Sequence, residues 1–417
     1  NGRVSEFEID FCFETARLMQ YNTDAWSIRG FSRKLTAMVR IDWVSSCQEC
    51  NLGEFAVTTL VGAAGLMIGL AFGAVTRWSD FCALGALADI SIYGDFRRLR
   101  CWLLAIVTAV GGTHAFHWAG VIDIYDSIYL GSNLGWFGAI FGGLIFGYGT
   151  VMARGCGGRS LIRAAGGDLR SLVSLLALGI FAYMTLRGLT GAAREWMEGG
   201  SNLDLAQWQL QSQGIPEFIA RVLGVQSELV RIGLSLIVIA GGVWYCFEDK
   251  AFRSSPKHVI AGLAIGAMVT LGWMATGVLG FDEFEPVALM SLSFVRPVGD
   301  GLQYLMTFTG ATISFGVAVI AGIILGGFAV ATANRTFRID GFKNAREMSD
   351  YMTGGALMGV GGVMALGCTI GQGVTGIATL SLGSLLAVGG IVAGGAVAIS
   401  RMGLDPAEEA LSAPAGE

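Results

Sequence analysis

The sequence predicts an all-α polytopic membrane protein. About nine transmembrane helices and four short re-entrant helices are expected, arranged as an inverted-topology repeat. Three observations carry this. Of 417 residues, 53% are hydrophobic and only 14% charged, whereas a soluble domain carries about 25% charged residues. The 63 glycines, against 6 prolines, lie inside apolar runs, where small residues let helices approach closely. Finally, one fifteen-residue element occurs twice: 142–156 reads GGLIFGYGTVMARGC and 354–368 reads GGALMGVGGVMALGC, with nine of fifteen positions identical. Internal repeats with broken helices are the architecture of many transporters.

About 20 uncharged residues cross a bilayer as a helix. Uncharged runs occur at 55–76, 101–122, 134–153, 171–186, 232–246, 258–281 and 302–334. The run 352–400 is too long for one span, and GCTIGQGVTG (367–376) divides it in two. Lys/Arg-rich connections at Asp95–Arg100, Arg154–Arg170, Glu248–Lys257 and Asn334–Arg346 alternate with acidic ones at Asp123–Asp126, 191–226 and Phe281–Glu285. With the basic loops inside, the two copies of the repeat run antiparallel. Four helices, a linking helix near 229–247 and four more then make a 4+1+4 inverted repeat. A weaker echo, GLAFGAVT (69–76) against GLAIGAMVT (262–270), agrees with it. The expected divisions are a polar, poorly ordered N-terminal extension (1–50), a first repeat (51–190), an outer loop with the linking helix (191–250), a second repeat (251–403) and a cytoplasmic tail (404–417).

Short apolar pieces at Phe81–Ile92, Ser160–Ala165, Val287–Val295 and Val374–Leu380 cannot span. Non-spanning backbone at membrane depth is tolerated where it is buried in protein or lines a cavity. Two pieces per side therefore predict half-helices that enter from each face and meet near the middle.

No acidic or basic block points to nucleic acid, and no GxxxxGK[ST] loop points to ATP hydrolysis. The lone pair Cys47/Cys50 and the pair His114/His117 lack the further ligands a metal site needs. No cofactor is expected. Cys101 and Cys246 read as small buried hydrophobes.

Three cysteines share a different context, each where a spanning helix gives way to a short piece. Cys82 lies in DFCALG, Cys156 between Gly155 and Gly157, and Cys368 after Gly367. Glycine lets backbone N–H groups face a ligand without a Cβ in the way. The start of a short helix adds unpaired donors and partial positive charge, which suits an anion. A neutral thiol adds a weak donor and a polarizable sulfur, as a conduction path needs sites that release what they bind. Gln372, in a glycine-flanked loop, has an amide able to donate to an oxyanion. Arg159, Arg163 and Arg170 read either as positive-inside topology or as an anion funnel at the inner mouth. Asp80 and Asp89 bracket the first half-helix.

At these residues the chain resembles the YeeE/YedE family of bacterial membrane proteins, over about residues 54–402. The segments that carry the resemblance are SDFCALGALAD (79–89), GCGGRSLIR (155–163) and GCTIGQGVTGIATLSLGS (367–384). The resemblance implies an hourglass-like protein of the bacterial inner membrane that takes up thiosulfate. It implies that Cys82, Cys156 and Cys368 pass the dianion along by S–H···S hydrogen bonds, without lasting covalent attachment. It also implies a TusA-like cytosolic sulfur carrier as partner. Asp80 stands where the family motif usually has glycine, and the 191–226 loop has no counterpart in the motifs. Other sulfur or selenium species, or an integral-membrane sulfurtransferase activity, are the alternatives; oligomeric state is left open.

Overall fold

The computed structural model describes residues 57–208, 210–281, 287–310 and 313–402. The N-terminal extension with Cys12, Cys47 and Cys50, the acidic residues 282–285 and the C-terminal tail lie outside the described residues.

The first half contains α1 (Val57–Ser79), the short α2 (Ala83–Tyr93), α3 (Arg97–Trp118), α4 (Gly143–Met152, preceded by a π-helical turn Gly138–Gly142), the short α5 (Gly157–Ala165) and α6 (Leu169–Arg187). An outer segment follows, with α7 (Leu189–Ser201) and α8 (Ile215–Leu223), and then α9 (Ser227–Glu248). The second half contains α10 (Pro256–Met274, continued by a π-helical turn to Leu279), α11 (Val295–Met306), α12 (Phe315–Ala333), α13 (Ala345–Met364), a π-helical turn at Gly371–Gly376 and α14 (Leu382–Met402). Among the described residues, eight helices are long and apolar enough to cross a membrane. The ninth long helix is α13, whose first turns carry Arg346, Glu347 and Asp350.

Glycine contacts reveal the repeat geometry. Along α1, a Cβ at Gly65, Gly69 or Gly73 would run into Phe315, Val319 or Ile323 of α12, so the two helices run parallel. Along α10, Gly262 and Gly266 meet Cys101 and Ala105 of α3 in the same sense. Gly69 and Gly262 are the two starts of the weaker echo, so one pairing is the repeat image of the other. The duplicated helices α4 and α13 instead pack against each other antiparallel. Gly142 meets Gly361, and Gly149 meets Gly354. Shifting each number by 212 exchanges those two contacts, as a two-fold axis in the membrane plane requires. Backbone-to-backbone approach of this kind needs glycine at the crossing.

Two expectations about the second half are corrected. Residues 287–294 form no helix. Short apolar runs are ambiguous from sequence. Here hydroxyls from neighbouring segments satisfy the irregular backbone. Thr276 donates to the Met290 carbonyl at 2.6 Å and accepts from its N–H, and Thr375 donates to the Leu292 carbonyl at 2.8 Å. The expected span 302–334 is also two pieces, α11 ending at Met306 and α12 beginning at Phe315, capped by Ser314.

At the end that carries the basic loops, Asp168 caps α6. Its carboxylate accepts from Arg163 at 2.7 Å, from Arg170 at 2.9 Å and from the Ser171 hydroxyl at 3.1 Å. Arg170 also reaches Glu347 at 3.3 Å in the first turn of α13. Burial works to raise the Asp168 carboxyl, but the Arg163 and Arg170 guanidiniums and the Ser171 hydrogen bond outweigh it and hold it below its ordinary value. A depressed carboxylate contributes its full stability above the unfolded value, about 3.9, and loses it as pH falls through the folded one. Thermal stability of the purified protein is therefore expected to fall as pH drops below about 4. In Asp168→Asn that acid-side slope should flatten and stability near neutrality should be lower. An unchanged slope would mean that this clamp contributes nothing.

Candidate functional site

All three cysteines are reached by one local construction. The residue two before each has a left-handed backbone: Asp80 (φ 56°), Arg154 (φ 52°) and Leu366 (φ 55°). Such a residue ends a helix. Gly155 N–H donates to Thr150 O and Arg154 N–H to Val151 O; Gly367 and Leu366 repeat the pattern on Gly362 and Val363. This is the Schellman arrangement, with Gly155 and Gly367 in the position just after the left-handed residue. The chain then turns extended at the cysteine. Cys82 caps α2 with φ −157° and ψ 125°, and Cys156 caps α5 with φ −75° and ψ 169°. A left-handed site at 80 explains why glycine is usual there, and aspartate is among the residues that tolerate it.

The sulfurs sit over the starts of their short helical segments. Cys82 Sγ accepts from Gly85 N–H at 3.3 Å, and Cys368 Sγ from Gly371 N–H at 3.3 Å. Cys156, which caps α5, makes no such side-chain capping hydrogen bond. Cys82 and Cys156 are 6% exposed and Cys368 is fully buried. The three segments come together: a Cβ on Gly85 would approach the Arg159 guanidinium, Gly158 and Gly371 lie against the adjacent residues Phe294 and Ser293, and Ala83 and Thr369 line one cavity. Three helix starts from both repeats, two of them beginning in glycine (Gly157, Gly371), thus turn partial positive charge toward three neutral thiols.

Neighbouring segments close the surroundings. The Phe294 ring lies against Gly158, and Ser293 against Gly371. An apolar cavity of about 240 Å³ lies between α2, α3 and α14, lined by Ala83, Ala86, Trp102 and Ile391 and reaching Thr369. In the second repeat, α11 stands where α2 stands in the first. It begins at Val295 with Phe294 as its cap residue, so this position carries no thiol.

The other expected residues divide. Gln372 is 3% exposed, and its amide N–H donates to the Ala365 carbonyl, tying the π-helical turn to the end of α13. Its Oε1 is buried without a partner. Arg163 and Arg170 are engaged with Asp168 and Glu347, which favours a structural role over a funnel. Arg159 lies elsewhere. A Cβ on Gly85 would be 3.8 Å from its guanidinium and 2.9 Å from that of Arg98, so both converge on the first turn of α2. Arg98 pairs with Asp89 at 3.3 Å. Asp80 is exposed and pairs with Lys257 at 3.6 Å, so its charge has a cationic partner. His114 faces the Val110 carbonyl and His117 the Ile122 carbonyl. Cys246 donates to the Arg100 carbonyl, and Cys101 is buried in the core.

Sequence reasoning missed Thr369 and Arg98 at this site. Thr369 follows Cys368 directly and carried a signal only by adjacency. Arg98 was visible only as one charge of a basic loop.

Comparison with known proteins gives three results. The family described as sulphur transport matches residues 78–397. A thiosulfate transporter of Escherichia coli K12, TsuA, is 26% identical over 327 residues, covering 75% of this chain and 86% of that protein. TsuA of Spirochaeta thermophila, also a thiosulfate transporter, is 26% identical over 320 residues, 76% of this chain and 91% of its own length.

Proposed function

The chain belongs to the sulphur-transport family, and from that premise we propose that the species it carries is thiosulfate, taken up across the bacterial inner membrane. The thiosulfate names of the two relatives support this substrate. The observation that carries the mechanism is the convergence of Cys82, Cys156 and Cys368 at the starts of three short segments.

Thiosulfate is a dianion with three oxygens and one terminal sulfur. Taken from water into a membrane interior, it needs donors at every stage. In this reading the backbone N–H groups at the helix starts face the oxygens, and the thiols donate S–H to the terminal sulfur. Entering from the end opposite the basic loops, the ion meets Cys368, then Cys156, then Cys82. Arg98 and Arg159 beside α2 receive it at the inner end. The thiols carry no fixed charge, so no stage holds the dianion tightly enough to trap it. No bond to sulfur is made or broken, so the chain acts as a carrier rather than an enzyme. A TusA-like cytosolic carrier as acceptor on the inner face belongs to the same proposal.

A cysteine-auxotrophic bacterium lacking its own thiosulfate uptake provides the test. Expression of this chain should restore growth on thiosulfate as sole sulfur source. Well-expressed protein that gives no rescue, alone or with a TusA-like partner, would remove thiosulfate as the substrate.

A further inference from the structure

We propose that the apolar cavity between α2, α3 and α14 holds one acyl chain of an anionic phospholipid from the inner leaflet, a site that follows from the membrane-embedded fold and not from which ion is carried. The cavity is about 240 Å³. Apart from the Thr369 hydroxyl and the Trp102 indole, its walls are aliphatic, with Ala86, Ile90, Leu99, Val388 and Ile391 among them. One edge is Val392 of α14, 47% exposed, so the cavity opens on the lipid-facing side of that helix.

The first argument is a break in the repeat. A shift of 212 maps Ala86 and Ile90 of α2 onto Val298 and Leu302 of α11, and Ile391 of α14 onto Gly179 of α6. Around α11 the protein is closed. Val298 and Leu302 lie over Gly179, where a Cβ would be 3.2 Å from Val298, and Pro297 lies over Gly316 of α12. Around α2 the glycine is replaced by Ile391 and the valine by Ala86. The branched side chain holds the helices apart, and the small one does not fill the gap. Close packing at one site thus becomes a void at its image.

The second argument is what can occupy the void. An apolar cavity stays dry, and one of about 150 Å³ takes benzene. A larger one at membrane depth, open to hydrocarbon, takes a longer apolar body, and lipid tails are the apolar bodies at hand. A tail in this place meets Ala83 and Thr369, the chain neighbours of Cys82 and Cys368. It would separate the thiol segments from the bilayer and support the loosely packed α2.

The third argument is charge at the inner end. α2 and α14 approach that end together: a Cβ on Gly395 would be 3.4 Å from Leu87. α14 carries Arg401 in its last turn, and α3 starts beside α2 with Arg97 and Arg98. The acidic residues of α2 and its connection to α3 are Asp89, paired with Arg98 at 3.3 Å, and Asp95, paired with Arg97 at 2.7 Å. Arg401 is exposed and leaves this rim positive among the described residues. Basic pockets between spanning helices on the cytoplasmic side attract anionic headgroups.

The test uses the full chain in phosphatidylcholine nanodiscs. They are doped with phosphatidylglycerol or phosphatidylcholine that carries a photoactivatable diazirine in one acyl chain. Illumination and peptide mass spectrometry then locate the label. With the phosphatidylglycerol probe, label on Ala83–Tyr93 and Leu382–Met402 should exceed that on the lipid-exposed α9 at least fivefold. Ala86→Leu, and separately Val388→Phe, fill the cavity and should cut that label at least threefold. Arg97→Gln/Arg401→Gln should lower labelling by phosphatidylglycerol to the level given by phosphatidylcholine. Filled variants of normal size-exclusion profile that label like wild type would overturn the site, as would label spread evenly over α2, α14 and α9. Equal labelling of wild type by the two probes would overturn the anionic headgroup. The readout involves no transport, so failure here leaves thiosulfate carriage standing, and failure of thiosulfate carriage leaves this site standing.

Discussion

Replacing Cys156 with alanine is expected to reduce thiosulfate uptake by one to two orders of magnitude, and replacing Cys82 or Cys368 to do nearly as much. In the proposed order Cys156 stands between the other two thiols, so its loss breaks the series at its centre. A hydrogen bond to a charged group is worth about 1.5–3 kcal/mol, and each 1.4 kcal/mol is a factor of ten in rate at the limiting barrier. Alanine removes one sulfur from a buried site, and the Schellman turn before it is made by backbone groups, so stability should change by no more than about 1.5 kcal/mol. Radiolabelled uptake into proteoliposomes, with thermal unfolding of each variant as control, measures both. Cys156→Ser separates two chemistries. A donor-based relay keeps part of its rate with a hydroxyl, whereas a persulfide relay keeps none and leaves a stoichiometric persulfide on wild type by mass spectrometry. Transport that survives loss of all three thiols would end the relay.

The second large effect concerns Arg231. It is fully buried in α9 and pairs with Glu217 of α8, 8% exposed. Tyr125 Oη donates to Glu217 at 2.8 Å, and the guanidinium lies 4.7 Å from the Tyr125 ring centroid. Removing one partner of a buried pair leaves the other charge uncompensated, typically at about 3–5 kcal/mol. Arg231→Met is therefore expected to lower stability by about that much. It should also loosen the outer segment, because Glu217 lies close in the chain to Gln213 and Ile215, whose backbone bonds tie that segment to Leu382 and Leu380. The double variant Arg231→Met/Glu217→Leu should recover most of the loss, since a well-packed apolar pair often replaces a buried ion pair at little cost. Thermal unfolding of wild type, Arg231→Met, Glu217→Leu and the double variant in one detergent gives the cycle. A single-variant loss below about 1 kcal/mol, or a double variant no better than the single, would show that the pair does not hold the outer segment.

The reading of the half-helices shows where sequence reasoning reaches and where it stops. Glycine at a helix end, an apolar piece too short to span and a cysteine between them are local features, and they led to the starts of α2 and α5. The same reasoning made residues 287–294 a helix. Nothing within these eight residues announces that Thr276 and Thr375 will satisfy a non-helical backbone. The arginines divide in the same way. Their number after Cys156 was plain, but only the positions of Asp168 and Glu347 separate Arg163 and Arg170 from Arg159.

By itself the sequence determined the class, the antiparallel duplication and the placing of three cysteines where a spanning helix gives way to a short segment. These follow from composition, hydrophobic length, charge alternation and self-similarity, all readable along one dimension. Tertiary structure alone decided that the segments led by Cys82, Cys156 and Cys368 pack together, that Asp80 pairs with Lys257, and that Leu382 N–H donates to the Gln213 carbonyl of an unmatched loop. The physical reason is distance along the chain. Cys156 and Cys368 are 212 residues apart, and Gln213 and Ser384 are 171 apart. Glycine-lined helix crossings join the two repeats, and backbone hydrogen bonds stitch residues 213–215 to 380–382; no local pattern names these partners.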